Sequence, residues 1–327
     1  MIQKRLVHSF PRPKPRETEK STLRRALAIL ALIRKIGLVL APEVLDWDLR
    51  AIVAGNEKLQ LLQRRLCLTE ISLSELCQHS TMFGPIAIAF DVEKMRGAGA
   101  MPALYVPQGA MNNALSQIGT FCVRGAYHTK YVLERLQELK NLSDPDFVAE
   151  HIQKPLDSNY NLNLHNSDSA GNIIATYNVP AKQVQSVLKY VGFNNIPFDH
   201  SIGILSIFLN MFCPTDNTYT GEQLGYYRQR EWRLIADDVE FNGQPLGRHL
   251  SDEEKAELLA IDQLFWERVL TYGDHQSRRC DLALVYKPIT SWNAFEFAEA
   301  IYAPEHALEQ VRAVVDDDIP IYSLPKG

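Results

Sequence analysis

Residues 64–107, RRLCLTEISLSELCQHSTMFGPIAIAFDVEKMRGAGAMPALYVP, constrain the fold more than any other part of this chain. Residues 67–71 end a strand. Residues 72–80 open on a Ser cap and continue with helix formers. Residues 86–90 form a compact apolar strand ending at Asp91, and residues 103–106 another between Pro102 and Pro107. The Gly97-Ala98-Gly99-Ala100 link is a flexible connection. Far downstream, residues 226–235 (YYRQREWRLI) read as a further strand, with a carboxylate, Glu231, on it. Helices and strands mix without a regular βαβ rhythm, which points to α+β with a mostly antiparallel sheet.

The rest of the chain fits that class. Residues 4–10 read as a short strand and residues 11–20 as a Pro- and charge-rich loop. Ser21 is the expected N-cap of a helix that ends at Gly37, with Leu23, Ala26, Leu27, Leu30 and Ile33 at helical spacing. Residues 51–66 read as a helix leading into a strand. Residues 110–139 suggest one or two helices, 159–177 a loop or short hairpin, and 181–191 an amphipathic helix. Residues 201–212 are apolar and of ambiguous type. Residues 251–272 read as one helix, with Asp252, Glu253 and Glu254 suiting its dipole. Residues 281–286 and 295–301 read as strands, 304–314 as a helix and 319–323 as a last strand. The expected organisation is a single α+β domain over residues 1–327, with 110–221 a mainly helical insertion.

Composition excludes several classes. A net charge of -5 leaves no basic footprint for sequence-independent nucleic-acid binding. The most apolar N-terminal run, residues 26–40, is broken by Arg34 and Lys35 and is too short to span a bilayer. Residues 1–20 lack a signal-peptide core. Five scattered cysteines without a CxxC pair suggest neither zinc nor a disulfide frame, and the expected location is the cytoplasm. There is no Gly-x-Ser-x-Gly elbow, and Gly97-x-Gly99 lacks the third glycine of a dinucleotide fingerprint. Asp316-Asp317-Asp318 reads as a short acidic turn.

The order of motifs resembles the AbiGi family of bacterial abortive-infection proteins. The resemblance rests on Cys67-Leu68-Thr69-Glu70, a Ser-led helix from Ser72 to His79, Phe83-Gly84-Pro85-Ile86-Ala87-Ile88, a Pro-x-x-Tyr strand at Pro102 to Tyr105, and Arg230-Glu231-Trp232-Arg233. It implies phage defence, with the antitoxin-like half of a two-protein system as the usual description. The implied partner is a cognate toxin or antitoxin.

A more distant likeness is to the ADP-ribosyltransferase fold, including its DNA-modifying DarT type. It rests on Val7-His8-Ser9-Phe10, Ile36-Gly37-Leu38, Leu68-Thr69-Glu70 and the Gln229-Arg230-Glu231 pattern. That likeness implies NAD as cofactor and a nucleic acid or protein as target. Glu231 would be the catalytic carboxylate. His8, Ser9, Thr69 and Glu70 would bind the cofactor, and Gln229 and Arg230 the substrate. The chain departs from the pattern in the inserted residues 11–20 and in lacking a Ser-Thr-Ser triplet. Breaking the glycosidic bond of NAD creates an oxocarbenium-like ribose, which a rigidly held carboxylate stabilises. On a strand, Gln229, Glu231 and Arg233 share one face. The same residues also read as a charged strand face in water, with ion pairs of little consequence. His8 equally reads as a structural residue, Thr69 as a turn or cap, Glu70 as solvated, and His79 as a helix C-terminal residue.

Overall fold

The computed structural model describes residues 5–48, 58–107, 118–152, 159–167, 171–193, 198–215, 230–236, 240–241, 244–273, 275–287, 294–315 and 318–325. The chain divides into two compact units, one of Met1–Arg124 with Ile207–Gly327, the other of Gly125–Ser206. In chain order the strands begin with β1 (Arg5–Phe10), β2 (Val39–Asp48), β3 (Lys58–Ile71), β4 (Ile86–Phe90), β5 (Met101–Pro102) and β6 (Leu104–Pro107). β7 (Asn161–Ser167) and β8 (Ile173–Pro180) form a hairpin in the second unit. Then come β9 (Phe212–Thr215), β10 (Glu231–Ile235), β11 (Glu240–Phe241), β12 (Gln244–Pro245) and β13 (Gly247–His249). The last are β14 (Val269–Tyr272), β15 (His275–Arg278), β16 (Leu284–Tyr286), β17 (Ala298–Ala303) and β18 (Ile321–Ser323).

The main sheet of the first unit has the order β13-β16-β2-β3-β1-β4-β17-β18, with β10 paired to β3 and β5 to β10. Its pairings are antiparallel except β17 with β18. The α+β class with a mostly antiparallel sheet is therefore observed. No helix among the described residues is long and apolar enough to cross a membrane.

Helix α1 (Glu19–Ile36) lies along this sheet. Its residues Leu23, Ala26, Leu30 and Ile33 recur at helical spacing and pack with Leu6, Leu66, Leu68, Ile88 and Phe90 in the core. Its N-cap is Thr18, not Ser21: the Thr18 hydroxyl accepts from the Ser21 amide at 3.2 Å. Both residues are capping types, and the extended backbone of Thr18 decides between them. Gly37, at φ 105°, ends the helix in a conformation that suits glycine. Helix α2 (Leu73–Phe83) has Ser72 as its N-cap, as the Ser-led block predicts, and the structure adds Glu75 to make a capping box.

Two helix expectations are corrected. Residues 58–66 are not helical; they are the first part of β3, and pairing with β2 from Asp48↔Lys58 to Ala41↔Arg65 overrides the helix-forming composition. Residues 51–57 lie outside the described residues. The expected helix over 251–272 is two helices, Asp252–Ile261 and Gln263–Trp266, followed by β14. Asp262 makes the break. One of its oxygens accepts from the Phe265 amide at 3.1 Å and from Lys14 Nζ at 2.6 Å, and the other from Arg25 Nη1 at 3.2 Å. Val269 to Tyr272, with β-formers Val, Thr and Tyr, pairs with β15. Residues 281–282 belong to a helical turn before β16, and Ala294–Phe297 is a short 3-10 turn before β17.

Between α2 and the later elements lies α3 (Val92–Gly97). The second unit holds most of α4 (Ile118–Ser143), α5 (Pro145–Ile152), the β7–β8 hairpin, α6 (Ala181–Tyr190) and most of α7 (Phe198–Met211). Its core gathers Val184, Leu188 and Phe193, with Leu133, Leu136, Leu139, Leu162 and Val179 packed against them. α7 resolves the ambiguous apolar run as helix. Asp316 and Asp317 lie outside the described residues.

Candidate functional site

The long strand β3 positions the site because two strands share one of its edges in succession. β2 pairs with residues 58–65 and β1 with Thr69, Glu70 and Ile71. β10 takes the opposite edge, from Thr69 to Arg65. Between the two registers, residues 66–68 have no partner strand on the first edge among the described residues. The sheet opens there. His8 of β1 bridges the opening through its ring: Nδ1 lies 3.0 Å from the Cys67 carbonyl and donates to it. Ser9 Oγ bonds His79 Nδ1 of α2 at 3.0 Å, and His79 stacks on Phe83. Burial, opposed by the Cys67 bond, lowers the His8 pKa to about 4. Burial and then the charge of His8 lower that of His79 to about 4 as well. Both imidazoles are neutral near pH 7.

β10 lies beside β3 with Glu231 opposite Thr69, Trp232 opposite Leu68 and Arg233 opposite Cys67. Directly opposed residues share a face. One face buries Leu66, Leu68 and Leu234 in the core. The other carries Gln63, Arg65, Cys67, Thr69, Glu231 and Arg233. Gln63 and Arg233 are 1% and 0% exposed, which makes this a buried polar cluster and not a charged face in water.

Arg233 organises the cluster. Its Nε donates to Glu231 Oε1 at 2.8 Å, and its Nη1 to the Asn210 carbonyl at 2.7 Å, the Phe212 carbonyl at 3.1 Å and Gln63 Oε1 at 3.1 Å. Gln63 Nε2 donates to the carbonyls of Leu209 and Phe212 at 3.0 and 2.9 Å. These two side chains satisfy carbonyls at the C-terminus of α7, where a helix leaves acceptors unpaired and favours a cation. Arg233 Nη2 has no hydrogen-bond partner among the described residues.

Glu231 has both oxygens occupied. Oε1 takes the Arg233 bond, and Oε2 accepts from the Tyr105 hydroxyl of β6 at 2.8 Å. Burial works to raise its pKa. The charge and hydrogen bond of Arg233, with the bond from Tyr105, outweigh burial and hold the carboxyl below its ordinary value. Burial first, then the Glu231 charge, push the Tyr105 phenol up, so it remains a donor. Solvent reaches Cys67, yet surrounding protein and then the Glu231 charge push its thiol up to about 11, so it is no thiolate near pH 7.

The remaining predicted residues separate. Thr69 shares the face of Glu231. Glu70 follows it on the strand and points to the other face, where it accepts from Trp232 Nε1 at 3.2 Å. Arg230 stands at φ 44°, in the left-handed region, and its guanidinium pairs with Glu75 at the start of α2. Gln229 lies outside the described residues. Sequence reasoning misses Gln63 and the role of Tyr105. The only local signal for Gln63 is a polar residue at a buried parity of an apolar strand. Among the described residues there is no cluster of three metal-ligating side chains.

A family model described as "Putative abortive phage resistance protein AbiGi, antitoxin" matches residues 60–263, well over half of the chain. The matched span contains Gln63, Tyr105, Glu231 and Arg233 but not His8 or Ser9. No curated protein and no solved structure matches the chain.

Proposed function

The chain belongs to the AbiGi family, a family of phage defence, and from that premise we propose that it works as a binding protein, the antitoxin-like half of a pair, without an enzymatic step of its own. The observation that carries this reading is the state of Glu231. A carboxylate that stabilises a developing ribose cation must present an oxygen and uncompensated charge to the substrate. Both Glu231 oxygens are instead bonded within the chain, one to a fully buried guanidinium. Its charge is spent on holding β10, β6 and the end of α7 together. The partner in this reading is a cognate toxin protein.

A second reading keeps an NAD-dependent ADP-ribosyltransferase acting on nucleic acid or protein, with Glu231 as catalytic carboxylate and His8, Ser9 and Thr69 near the cofactor. It is favoured by one feature, the opening of the sheet at residues 66–68 with the neutral His8 ring across it. To act, Glu231 would have to release Tyr105.

The two readings part on a single experiment. Purified protein is given labelled NAD with DNA, RNA and protein acceptors, beside Glu231→Gln and Tyr105→Phe. The binding reading expects no NAD consumption from any of the three. Turnover by the wild type that disappears in a folded Glu231→Gln variant replaces it with the transferase.

A further inference from the structure

Helix α6 of the second unit has three distinct faces. Ala181, Val184 and Leu188 are buried against the unit's core. A second face carries Val187, Tyr190 and Val191 at i, i+3 and i+4, and these are 60%, 90% and 58% exposed. Tyrosine exposed to that extent beside two exposed valines leaves apolar area in water that folding does not use. The third face is basic. Lys182 and Lys189 stand on it, seven residues apart and so two turns along one side of the helix.

That basic face lines a groove of about 460 Å³ whose other wall is the end of α4. The floor is satisfied internally: Gln185 Nε2 donates to the Ser143 carbonyl at 2.6 Å, and the buried Ser143 hydroxyl to the Lys140 carbonyl at 2.9 Å. Asp144, the one carboxylate among the described residues lining it, accepts from the Asp146 amide at 3.0 Å at the start of α5. The ammonium groups of Lys140, Lys182 and Lys189 make no ion pair among the described residues. Three cations against one carboxylate form a positive patch on a chain whose net charge is -5.

We infer that α6 is the docking helix of the second unit, and that its occupant is a protein whose surface sets an apolar centre beside carboxylates. Tyr190 with Val187 and Val191 would form the anchor, since a large aromatic in an apolar setting is what interfaces place at their centre. The lysines would meet the carboxylates and set approach and register. A nucleic acid would also meet lysines and a tyrosine. The two valines and the acidic chain favour a protein, because aliphatic side chains add nothing to phosphate binding and net negative charge opposes it. This assignment rests on the binding reading above and names where that binding occurs.

The test uses the full chain and the cognate toxin that the binding reading names as its partner, with affinity measured at low and high salt. All changes fall on exposed positions of α6, and circular dichroism checks the fold. Wild type should bind more weakly as salt rises. Tyr190→Ala should weaken binding about tenfold or more. Lys182→Glu with Lys189→Glu should do the same and flatten the salt dependence, while Lys182→Arg with Lys189→Arg retains both. A complex unaffected by the Tyr190 and Lys→Glu changes overturns the docking site and leaves the binding reading intact. A wild type that forms no complex overturns both. Retention of single-stranded RNA that the Lys→Glu pair abolishes, or self-association that Tyr190→Ala abolishes, overturns the assigned occupant in favour of nucleic acid or a second copy.

Discussion

Replacing Arg233 by methionine should be among the most damaging single changes in this protein. The guanidinium is fully buried and bonds one carboxylate, one amide oxygen and two main-chain carbonyls. Methionine fills much of the same volume and restores none of these bonds. Glu231 then keeps a negative charge in a largely buried place, with the Tyr105 hydroxyl bond and the more distant charge of Arg65 left to meet it. Removing one partner of a buried pair costs about 3–5 kcal/mol, chiefly from the charge left behind. For a unit of this size that corresponds to a fall in Tm of roughly 6–20 °C. The charge, not the lost packing, should dominate. The double variant Arg233→Met with Glu231→Leu should therefore be more stable than Arg233→Met alone, with a coupling of about 1–3 kcal/mol. Urea unfolding followed by tryptophan fluorescence and circular dichroism measures both. An Arg233→Met variant within about 1 kcal/mol of wild type, or a double variant equal to the sum of its parts, would refute the view that this cluster is a buried ion pair holding the fold.

Three further outcomes follow from the geometry. Thr18→Ala should lower stability by about 1 kcal/mol, whereas Ser21→Ala should leave it within about 0.5 kcal/mol, as thermal melts of the two will show. Gly84→Ala should cost at least about 2 kcal/mol: Gly84 stands at φ 138°, and a β-carbon there would lie 2.3 Å from the Phe10 carbonyl carbon. A melt unchanged by that substitution would mean that β1 and α2 are not in this close contact. Stability should also fall as pH drops from about 6.5 toward about 4. His8 and His79 are held neutral with pKa values near 4, so in that window the unfolded chain binds protons the folded chain refuses. Imidazole NMR titrations showing both rings protonating near pH 6.5 in the folded protein would contradict this.

What the sequence makes legible here is what local rules govern. The Ser72 cap, the helix stop at Gly37 and the apolar strand Ile86–Phe90 are each written in a few adjacent residues, and each stands where expected. β3 is different. Its first half has the composition of a helix and becomes a strand because β2 pairs along it from Lys58 to Arg65. Asp262 breaks a helix for a reason that lies in Lys14 and Arg25, more than two hundred residues away. The candidate site shows the same division. Parity along β10 places Glu231 and Arg233 on one face, as read from the sequence. Burial of that face and the bond from Tyr105, 126 residues from Glu231, are tertiary facts that turn a strand carboxylate into a structural anchor. Consecutive residues such as Thr69 and Glu70 look like one motif in sequence, yet a strand sends them to opposite faces.

The most direct test of the central claim is label transfer from NAD by the purified protein in the presence of DNA, RNA and protein acceptors, alongside a folded Glu231→Gln variant. Neither protein should transfer label. Transfer by the wild type that Glu231→Gln abolishes would contradict that claim and make Glu231 a catalytic residue.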